Sequence, residues 1–312
     1  MSFNNTVSII LATRNRSSIL NQTLRAFEQL DLTSINLEIF VIDNGSTDNT
    51  QTVLEQWTDR LPLKFWSESR PGKNICLNQG VAKACGDLLI FTDDDVIPDP
   101  DWVTRYVAAA EAWPEHKIFG GKIDPLFSVE ADSGIHALEP NFGVIFSKYH
   151  PAETSGEVNS PPFGPNMMIR RSVFDNVSYN ESIGPAGNNY AMGSETELLV
   201  RLREEFGLKY LYVSEARVQH YIRPEQIELE WIWGRAYRAG RGFARAIQTE
   251  RMRLAGVPWT ILARYIVVRL KAKFLFFLSR SQVVKLQWEL HKWRGCVTEY
   301  RKMHITTNSK TQ

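Results

Sequence analysis

An apolar run that ends in three consecutive aspartates constrains this chain more than any other feature. Residues Leu88–Thr92 are strong strand and core formers, so they predict a buried strand. Asp93, Asp94 and Asp95 follow at once, and adjacent carboxylates repel one another and are costly to bury without partners. A divalent cation removes that cost, because Mg²⁺ and Mn²⁺ bind carboxylate and phosphate oxygens. The alternative is a solvated acidic turn.

Strands and helices alternate through the first third of the chain. Apolar runs predict three strands ahead of the aspartates, at Val7–Ala12, Leu37–Ile42 and Leu63–Trp66. Such alternation is typical of an α/β fold with a mostly parallel sheet, flanked by helices and joined by right-handed crossovers. The polar clusters Thr13–Arg16 and Asp43–Asp48 then lie with Asp93–Asp95 at one rim of the sheet, where ligands of such folds bind.

Length and composition leave room for one large domain, or for a domain with an extension. The chain has 312 residues and a net charge of +1, with 36 Lys and Arg against 35 Asp and Glu, so no nucleic-acid partner is expected. Its three cysteines lack metal-ligand spacing and fit a reducing compartment. We expect neither a signal peptide nor a membrane span, and therefore a cytoplasmic protein.

The second half is less regular. A helix is predicted over Trp102–Trp113, and another begins at Ser194. Between them, Asp124–Pro165 is rich in Pro, Gly and Ser and is expected to be a long loop, which is usually functional or mobile. Short strands are expected at Leu211–Val213 and in a separate stretch that ends at His220.

The order of these motifs resembles family 2 glycosyltransferases with the GT-A fold. The resemblance covers about residues 6–245. It rests on five segments taken together, which are Thr13–Arg16, Asp43–Asp48, Asp93–Pro98, Asn166–Arg171 and Gly193–Leu198. It implies an inverting, metal-dependent transfer of a sugar from a nucleotide-diphospho-sugar, typically a UDP-sugar, to an acceptor hydroxyl. Polysaccharide or glycolipid assembly is the implied setting.

Carried over residue by residue, the resemblance implies a donor site and a metal site. The residues expected to bind the donor are Thr13, Arg16, Asp43, Lys73, Asp93 and Asp94. Asp43 is expected to accept a hydrogen bond from the base, and Asp93 to lie on the ribose side. Asp95, helped by His220, is expected to hold Mg²⁺ or Mn²⁺ on the diphosphate. A solvated Lys73 and a structural His220 are the alternatives. The family also places donor contacts at Asn74 and Asn78.

Glu195 is the expected general base. The family usually has Gly-Glu-Asp-x-Glu here, whereas Gly193–Glu197 is Gly-Ser-Glu-Thr-Glu. Ser194 replaces the first acid and the expected base is one methylene longer, so Glu197 is a second candidate. Inverting transfer needs a carboxylate that takes the proton of the attacking hydroxyl, and a cation that stabilises the departing diphosphate. The alternative for Glu195 is a helix N-terminal residue stabilised by the helix dipole.

Two other functions stay open on the sequence. A sugar-nucleotide pyrophosphorylase would share the sheet and the metal carboxylates, but its first strand should be followed by a Gly-rich basic loop, and Thr13–Arg16 has no Gly. A non-catalytic module that binds nucleotide-sugars would keep Asp43 and Asp95 and need no base. Dinucleotide and P-loop fingerprints are absent, since Gly72-Lys73 lacks the upstream Gly and the following Ser or Thr.

The C-terminal part lies largely beyond the resemblance. We divide the chain into a catalytic domain at 1–225, a helical extension at 226–305 and a polar tail at 306–312. Four arginines share one helix face and predict either an anionic partner or a solvated basic face; they are Arg235, Arg238, Arg241 and Arg245. The apolar segment Pro258–Leu278 carries cations that do not gather on one side, so a clean in-plane amphipathic helix is not expected there. The segment is expected to cap the catalytic domain, and docking on a membrane surface or a partner is the alternative.

The expected partners follow from these predictions. They are a nucleotide-sugar donor and a glycan or lipid-linked acceptor, with peripheral contact between the C-terminal helices and the inner face of the membrane. Donor and acceptor specificity is expected in the loops Asp124–Pro165 and Gly184–Met192, whose shape the sequence does not reveal.

Overall fold

The structure, a computed structural model, describes residues 6–185, 190–246, 253–273 and 278–308. The chain divides into two compact units. The first comprises Met1–Leu126, Ser147–Gly187 and Ser194–Tyr221, and the second comprises Phe127–Phe146, Asn188–Gly193 and Ile222–Gln312. The division of the chain at residue 225 into a catalytic domain and a helical extension stays a prediction.

Eleven strands and ten α-helices lie in the described residues. The strands are β1 (Thr6–Thr13), β2 (Asn36–Asp43), β3 (Leu63–Ser67), β4 (Leu88–Phe91), β5 (Val96–Pro98), β6 (Ile118–Phe127), β7 (Gly156–Val158), β8 (Met167–Arg170), β9 (Tyr210–Ile222), β10 (Arg253–Leu254) and β11 (Val257–Pro258). The helices are α1 (Ser17–Phe27), α2 (Thr50–Trp57), α3 (Lys73–Lys83), α4 (Trp102–Ala112), α5 (Ser133–His136), α6 (Phe142–Phe146), α7 (Ser194–Phe206), α8 (Leu229–Ala246), α9 (Trp259–Lys271) and α10 (Arg280–Asn308).

The sheet of the first unit is mixed. Its strand order is β3-β2-β1-β4-β8-β6-β9-β5, and β7 pairs with β9. The expectation of parallel strands holds for β3, β2, β1 and β4. From there β8 runs antiparallel to both β4 and β6, and β9 runs antiparallel to β5 and β7. The predicted α/β class, with a sheet flanked by helices, is confirmed.

The four parallel strands end at the edge of the sheet where the sequence analysis placed the polar clusters. Thr13 at the end of β1 pairs in register with Asp43 at the end of β2, which pairs with Ser67 at the end of β3. Ile10 pairs with Phe91, the last residue of β4, directly before the aspartate turn. The carboxyl ends of four strands therefore meet at one edge.

Alternate residues of β1 face two helical layers, because successive side chains of a strand point to opposite faces. Ile9 belongs to a buried cluster with Leu24 of α1 and Trp102 of α4. Ile10 belongs to a second cluster with Leu77 of α3. Both faces of β1 are therefore buried, which explains why its sequence is a continuous apolar run.

The segment Asp124–Pro165 is less irregular than expected, which corrects the sequence analysis. It contains the end of β6, the two short helices α5 and α6, and β7. Asp132 caps α5, since its carboxylate accepts hydrogen bonds from the backbone amides of Gly134 and Ile135 at 2.7 and 3.1 Å. Elements of three to five residues have too few turns to show a hydrophobic period, so they escaped prediction.

Two strands expected near the end of the first unit are one. Tyr210–Ile222 forms the single strand β9. Its first residues are buried on both faces, whereas Glu215, Arg217 and Gln219 are exposed, so the pattern changes within the strand and suggested a break. After β8, residues Arg171–Asp175 form a short 3-10 helix.

The second unit is built around α8 and α10. A Cβ atom at Gly240 would lie 1.9 Å from the carbonyl oxygen of Lys292, and one at Gly295 would lie 2.1 Å from that of Tyr237. The two helix backbones therefore touch where both lack side chains. None of the described helices is long enough and apolar enough to span a membrane.

The four arginines of α8 do not form an open basic face. Arg241 and Arg245 each donate through Nε to the buried Glu299 of α10, both at 2.6 Å. The guanidinium of Arg238 lies over the Tyr190 ring, and Arg235 donates to a backbone carbonyl on α6. Arg241 and Arg245 therefore form ion pairs inside this unit. For these two, neither an anionic partner nor a solvated basic face, the two predicted alternatives, applies.

Candidate functional site

The aspartate turn after β4 is organised by one arginine. Arg16, at the start of α1, donates through Nη1 to Asp94 Oδ1 at 2.7 Å and to Asp95 Oδ2 at 2.8 Å. Thr13 at the end of β1 donates to the other oxygen of Asp94 at 2.6 Å. Asp94 is buried, and burial raises its carboxyl pKa despite the opposing effects of Arg16 and Thr13. The Asp94 carboxylate lowers the energy of the Arg16 cation and raises its pKa.

A second cation joins the turn to the predicted base. Lys73, the first residue of α3, donates through Nζ to Asp93 Oδ1 at 2.5 Å and to Glu195 Oε1 at 3.1 Å. Burial opposes the charge of Lys73, but the two carboxylates outweigh it and raise the lysine pKa above its usual value. The alternative of a solvated Lys73 is excluded, because its side chain is only 17% exposed.

Glu195 lies in the first turn of α7 and points at Lys73. The Ser194 hydroxyl donates to Glu195 Oε2 at 2.8 Å. Burial alone would raise the carboxyl pKa of Glu195, but the Lys73 ammonium and the Ser194 hydroxyl outweigh burial and hold it below its usual value. Glu195 is therefore a carboxylate at neutral pH.

The second candidate base, Glu197, is not part of this cluster. It pairs with Arg201 one turn further along α7, at 3.0 Å between Nε and Oε1. Arg201 in turn donates to the backbone carbonyl of Ser178. Glu197 therefore takes part in a contact that fixes α7 against a neighbouring loop.

Asp95 and His220 lie side by side at the rim. Asp95 Oδ1 is 3.2 Å from Nε2 of His220 on β9, and both side chains are buried. Among the described residues, no group of three or more His, Cys, Asp or Glu side chains is arranged to hold a metal ion. Mg²⁺ and Mn²⁺ at phosphate sites commonly take one or two protein ligands and fill the rest with phosphate and water oxygens. A pair of ligands thus fits a cation that is shared with a diphosphate.

The charges at the rim support the same fit. Four carboxylates meet there, from Asp93, Asp94, Asp95 and Glu195, and two cations, from Arg16 and Lys73, neutralise half of them. With all four carboxyl groups ionised and His220 neutral, the formal charge of these described side chains sums to −2. One dication balances that difference, and uncompensated buried charge is costly.

Asp43 stands apart from these contacts on the same edge of the sheet. Its carboxylate accepts hydrogen bonds from the amide of Ser46 at 3.0 Å and from the Ser67 hydroxyl at 3.3 Å. The neighbouring Asn44, whose role the sequence did not suggest, donates to the carbonyls of Glu68 and Arg70. Asn44 thereby ties the end of β2, beside Asp43, to the segment that follows β3.

Asn74 and Asn78 bind protein rather than face the rim. Asn74 donates to the carbonyls of Asn180 and Ile183, and Asn78 exchanges hydrogen bonds with the backbone of Tyr179. Both asparagines therefore tie α3 to the segment before α7. The donor contacts that the resemblance implied for these two residues stay a prediction.

Two neighbours of Glu195 were not found from the sequence. The Ser194 hydroxyl was noted only as a departure from the family pattern. Gly164 lies so close that a Cβ atom there would be 2.6 Å from Glu195 Oε1. No local signal marks Gly164, because its partner is distant in sequence.

Comparisons with known proteins identify the family and the fold. The glycosyl transferase family 2 model matches residues 8–178. A relative from Haloferax volcanii, a glucosyl-dolichyl phosphate glucuronosyltransferase, is 25% identical over 215 residues, which are 65% of this chain and 65% of that protein. The chain thus spans slightly less than two thirds of that relative.

Solved structures share the fold. A mannosyltransferase from Pyrobaculum calidifontis, PcManGT in complex with GDP-Man and Mn²⁺, superposes with a TM-score of 0.60 at 17% identity, covering 94% of this chain and 86% of that chain. S. aureus TarS 1-349 in complex with UDP superposes with a TM-score of 0.54 at 16% identity, covering 98% and 92%. Since the family match spans more than half of the sequence, the chain belongs to glycosyl transferase family 2, as its motifs predicted.

Proposed function

We propose that this protein transfers a sugar from a UDP-sugar to a hydroxyl group of a glycan or lipid-linked acceptor, with inversion at the anomeric carbon. The proposal rests on one observation, a bridge between two carboxylates that lie far apart in the sequence. Lys73 joins Asp93 of the strand-end turn to Glu195 at the start of α7. A leaving-group site and a base are thereby held on facing elements, as in-line displacement requires.

In the donor half of the site, Asp95 and His220 are the residues that would hold Mg²⁺ or Mn²⁺. When bound, the cation would stabilise the negative charge of the departing diphosphate as a Lewis acid. Arg16 and Lys73 supply further positive charge beside it. Asp43, at the end of β2, would accept a hydrogen bond from the base, and Thr13 would line the nucleotide pocket.

In the acceptor half, Glu195 would act as general base. As the acceptor oxygen bonds to the anomeric carbon and the bond to the diphosphate breaks, the hydroxyl proton would pass to the Glu195 carboxylate. Glu195 is ionised at neutral pH and can accept the proton, although the charge of Lys73, which lowers its pKa, also makes it a weaker base than an ordinary Glu. The engagement of Glu197 with Arg201 favours Glu195 over Glu197.

The relatives support the substrate classes. The Haloferax volcanii relative is named for a dolichyl-phosphate-linked acceptor, and TarS was solved with UDP. PcManGT was solved with GDP-Man, so a guanine nucleotide is the competing donor. We place the reaction at the cytoplasmic face of a membrane, in polysaccharide or glycolipid assembly.

The test compares Glu195→Gln with Glu197→Gln. Nucleotide release is measured from UDP-sugars and GDP-Man in the presence of short polyprenyl-phosphate-linked sugars. Glu195→Gln should lower kcat by about 10² to 10⁴-fold, the usual value of general-base catalysis, while UDP binding with Mn²⁺ stays as in the wild type. Glu197→Gln should keep most of the activity. A wild-type protein that binds UDP and turns over no donor would instead be a binding module.

A further inference from the structure

Helix α9 has apolar side chains on two opposite faces. On one face, Ile261, Tyr265 and Val268 pack against a buried cluster of α10 that includes Trp293 and Val297. This face of α9 is therefore apolar because it packs in the interior of the second unit. The opposite face is the subject of the proposal.

The opposite face of α9 is apolar and open to solvent. Four of its side chains are about half exposed: Trp259 at 55%, Ile266 at 47%, Val267 at 50% and Leu270 at 50%. At 100° per residue these four fall within one arc of about 100°, so they form a continuous stripe along the helix. We call these four residues the outer stripe. Exposed apolar groups that are contiguous mark an interaction site more often than scattered ones do.

Along the sequence, the charged residues on either side of the outer stripe have a single sign. Arg269 and Lys271 are exposed and, by their positions on the helix, lie on opposite sides of the stripe. No acidic residue occurs between Glu250 and Glu289. That interval carries eight cations, which are Arg251, Arg253, Arg264, Arg269, Lys271, Lys273, Arg280 and Lys285.

An exposed apolar stripe fits either a second copy of this chain or a lipid surface. The charge pattern favours the lipid surface. Across a two-fold contact with a second copy, Arg269 and Lys271 would meet like charges, which is unfavourable. An anionic lipid surface complements them, and each basic residue near such a surface strengthens binding about fivefold. The 13-residue helix is about 20 Å long, shorter than the hydrocarbon core of a bilayer, so it would lie along the surface.

We propose that the outer stripe of α9 docks in the interface of an anionic lipid bilayer, with Arg269 and Lys271 at the headgroups. Apolar side chains on one face and cations at its edges are the features by which in-plane helices bind membranes. The purpose of docking, access to a lipid-linked acceptor, rests on the proposed function. Docking itself needs neither donor nor acceptor, so the two proposals fail separately.

The test is sedimentation of the full-length protein with vesicles of phosphatidylcholine alone, or with 30% phosphatidylglycerol. We expect the wild type to bind the anionic vesicles and to stay in solution with the neutral ones. Replacing the apolar stripe, Trp259→Gln with Ile266→Gln and Leu270→Gln, should weaken binding at least about tenfold. Arg269→Gln with Lys271→Gln should weaken it by about 25-fold, and salt should weaken wild-type binding.

Two controls match these variants. Arg25→Gln with Lys117→Gln removes the same charge from exposed positions of the first unit, and Phe206→Gln removes an apolar side chain that is 52% exposed. Both should bind vesicles like the wild type, and circular dichroism should show all variants folded. Wild-type protein that stays in the supernatant, or stripe variants that bind unchanged, would overturn the proposal. So would stripe variants that convert a dimer to a monomer in light scattering without weakening vesicle binding.

Discussion

Lys73 Nζ lies 3.1 Å from Glu195 Oε1 and 2.5 Å from Asp93 Oδ1, so one ammonium group contacts both halves of the site. It neutralises part of the rim charge and fixes the orientation of the carboxylate proposed as base. Since Lys73 is the first residue of α3, the position of that helix controls both carboxylates.

Replacing Lys73 by Met should move the acidic limb of the pH–kcat profile to higher pH. The Lys73 charge lowers the carboxyl pKa of Glu195, so its removal raises that pKa and the base becomes protonated at higher pH. The measurement is kcat from pH 4 to 9. Lys83→Met, an exposed lysine in the last turn of the same helix, is the control. An acidic limb that stays in place would show that Glu195 is not the titrating base.

Asp95→Asn and His220→Asn should each weaken Mn²⁺-dependent UDP binding by about tenfold to a hundredfold, because each would remove one of the two adjacent side chains proposed to hold the cation. Calorimetric titration with UDP, with and without Mn²⁺, measures the effect. Binding without Mn²⁺ should change much less. Asp99→Asn, four residues further along, serves as a control of the same charge. If both variants kept the wild-type response to Mn²⁺, Asp95 and His220 would not be metal ligands.

Gly164→Ala should lower kcat by about tenfold or more and leave UDP binding nearly unchanged. The added methyl group would lie 2.6 Å from Glu195 Oε1 and must displace the carboxylate. Gly156→Ala is a matched control, since nothing lies within 4 Å of its added Cβ. Comparing kcat with the UDP dissociation constant separates displacement of the base from damage to the donor site. A variant of normal kcat would show that the position of Glu195 is not critical.

Glu299→Gln should reduce the free energy of unfolding of the second unit by about 3 kcal/mol or more, because it leaves buried Arg241 without its counter-charge. Burial alone would raise the carboxyl pKa of Glu299, but Arg241 and Arg245 lower it below the unfolded value. The stabilisation is therefore complete above the unfolded pKa and is lost as pH falls through the folded pKa.

Urea unfolding at pH 7 and at pH 4 tests the Glu299 prediction. The variant should lose less stability than the wild type on acidification. Glu289→Gln on the same helix, with a side chain 39% exposed, should cost about 1 kcal/mol or less. An equal loss in both variants would argue against a special role of the buried ion pair.

Strong local patterns made half of the fold predictable. β1 and β4 have nearly continuous apolar runs because both of their faces are covered. β1, β2 and β3 are each followed by a helix. Once those strands are parallel, Thr13, Asp43 and Asp93 must lie at one edge. The grouping of these side chains at one edge therefore followed from chain order.

The remainder depends on contacts between distant segments. β5 has three residues, Val96–Pro98, and exists only because Val218–His220 pairs with it. Gly164 approaches Glu195 across 31 positions of sequence, which no local pattern can show. On α9, cations lie at both edges of an exposed apolar stripe, and a second apolar face is buried. The distribution of cations over the whole segment Pro258–Leu278 therefore did not reveal the stripe.

The buried partners of the second unit also set an order for biosynthesis. Phe142 and Ile135 share a buried cluster with Val284 and Trp288 of α10, about 140 residues later in the chain. At ribosomal rates of about 5 to 20 residues per second, these early apolar side chains wait roughly 10 to 30 s for their partners. Truncation before α10 would remove Val284 and Trp288 from this cluster, so an incomplete chain would expose part of its apolar surface.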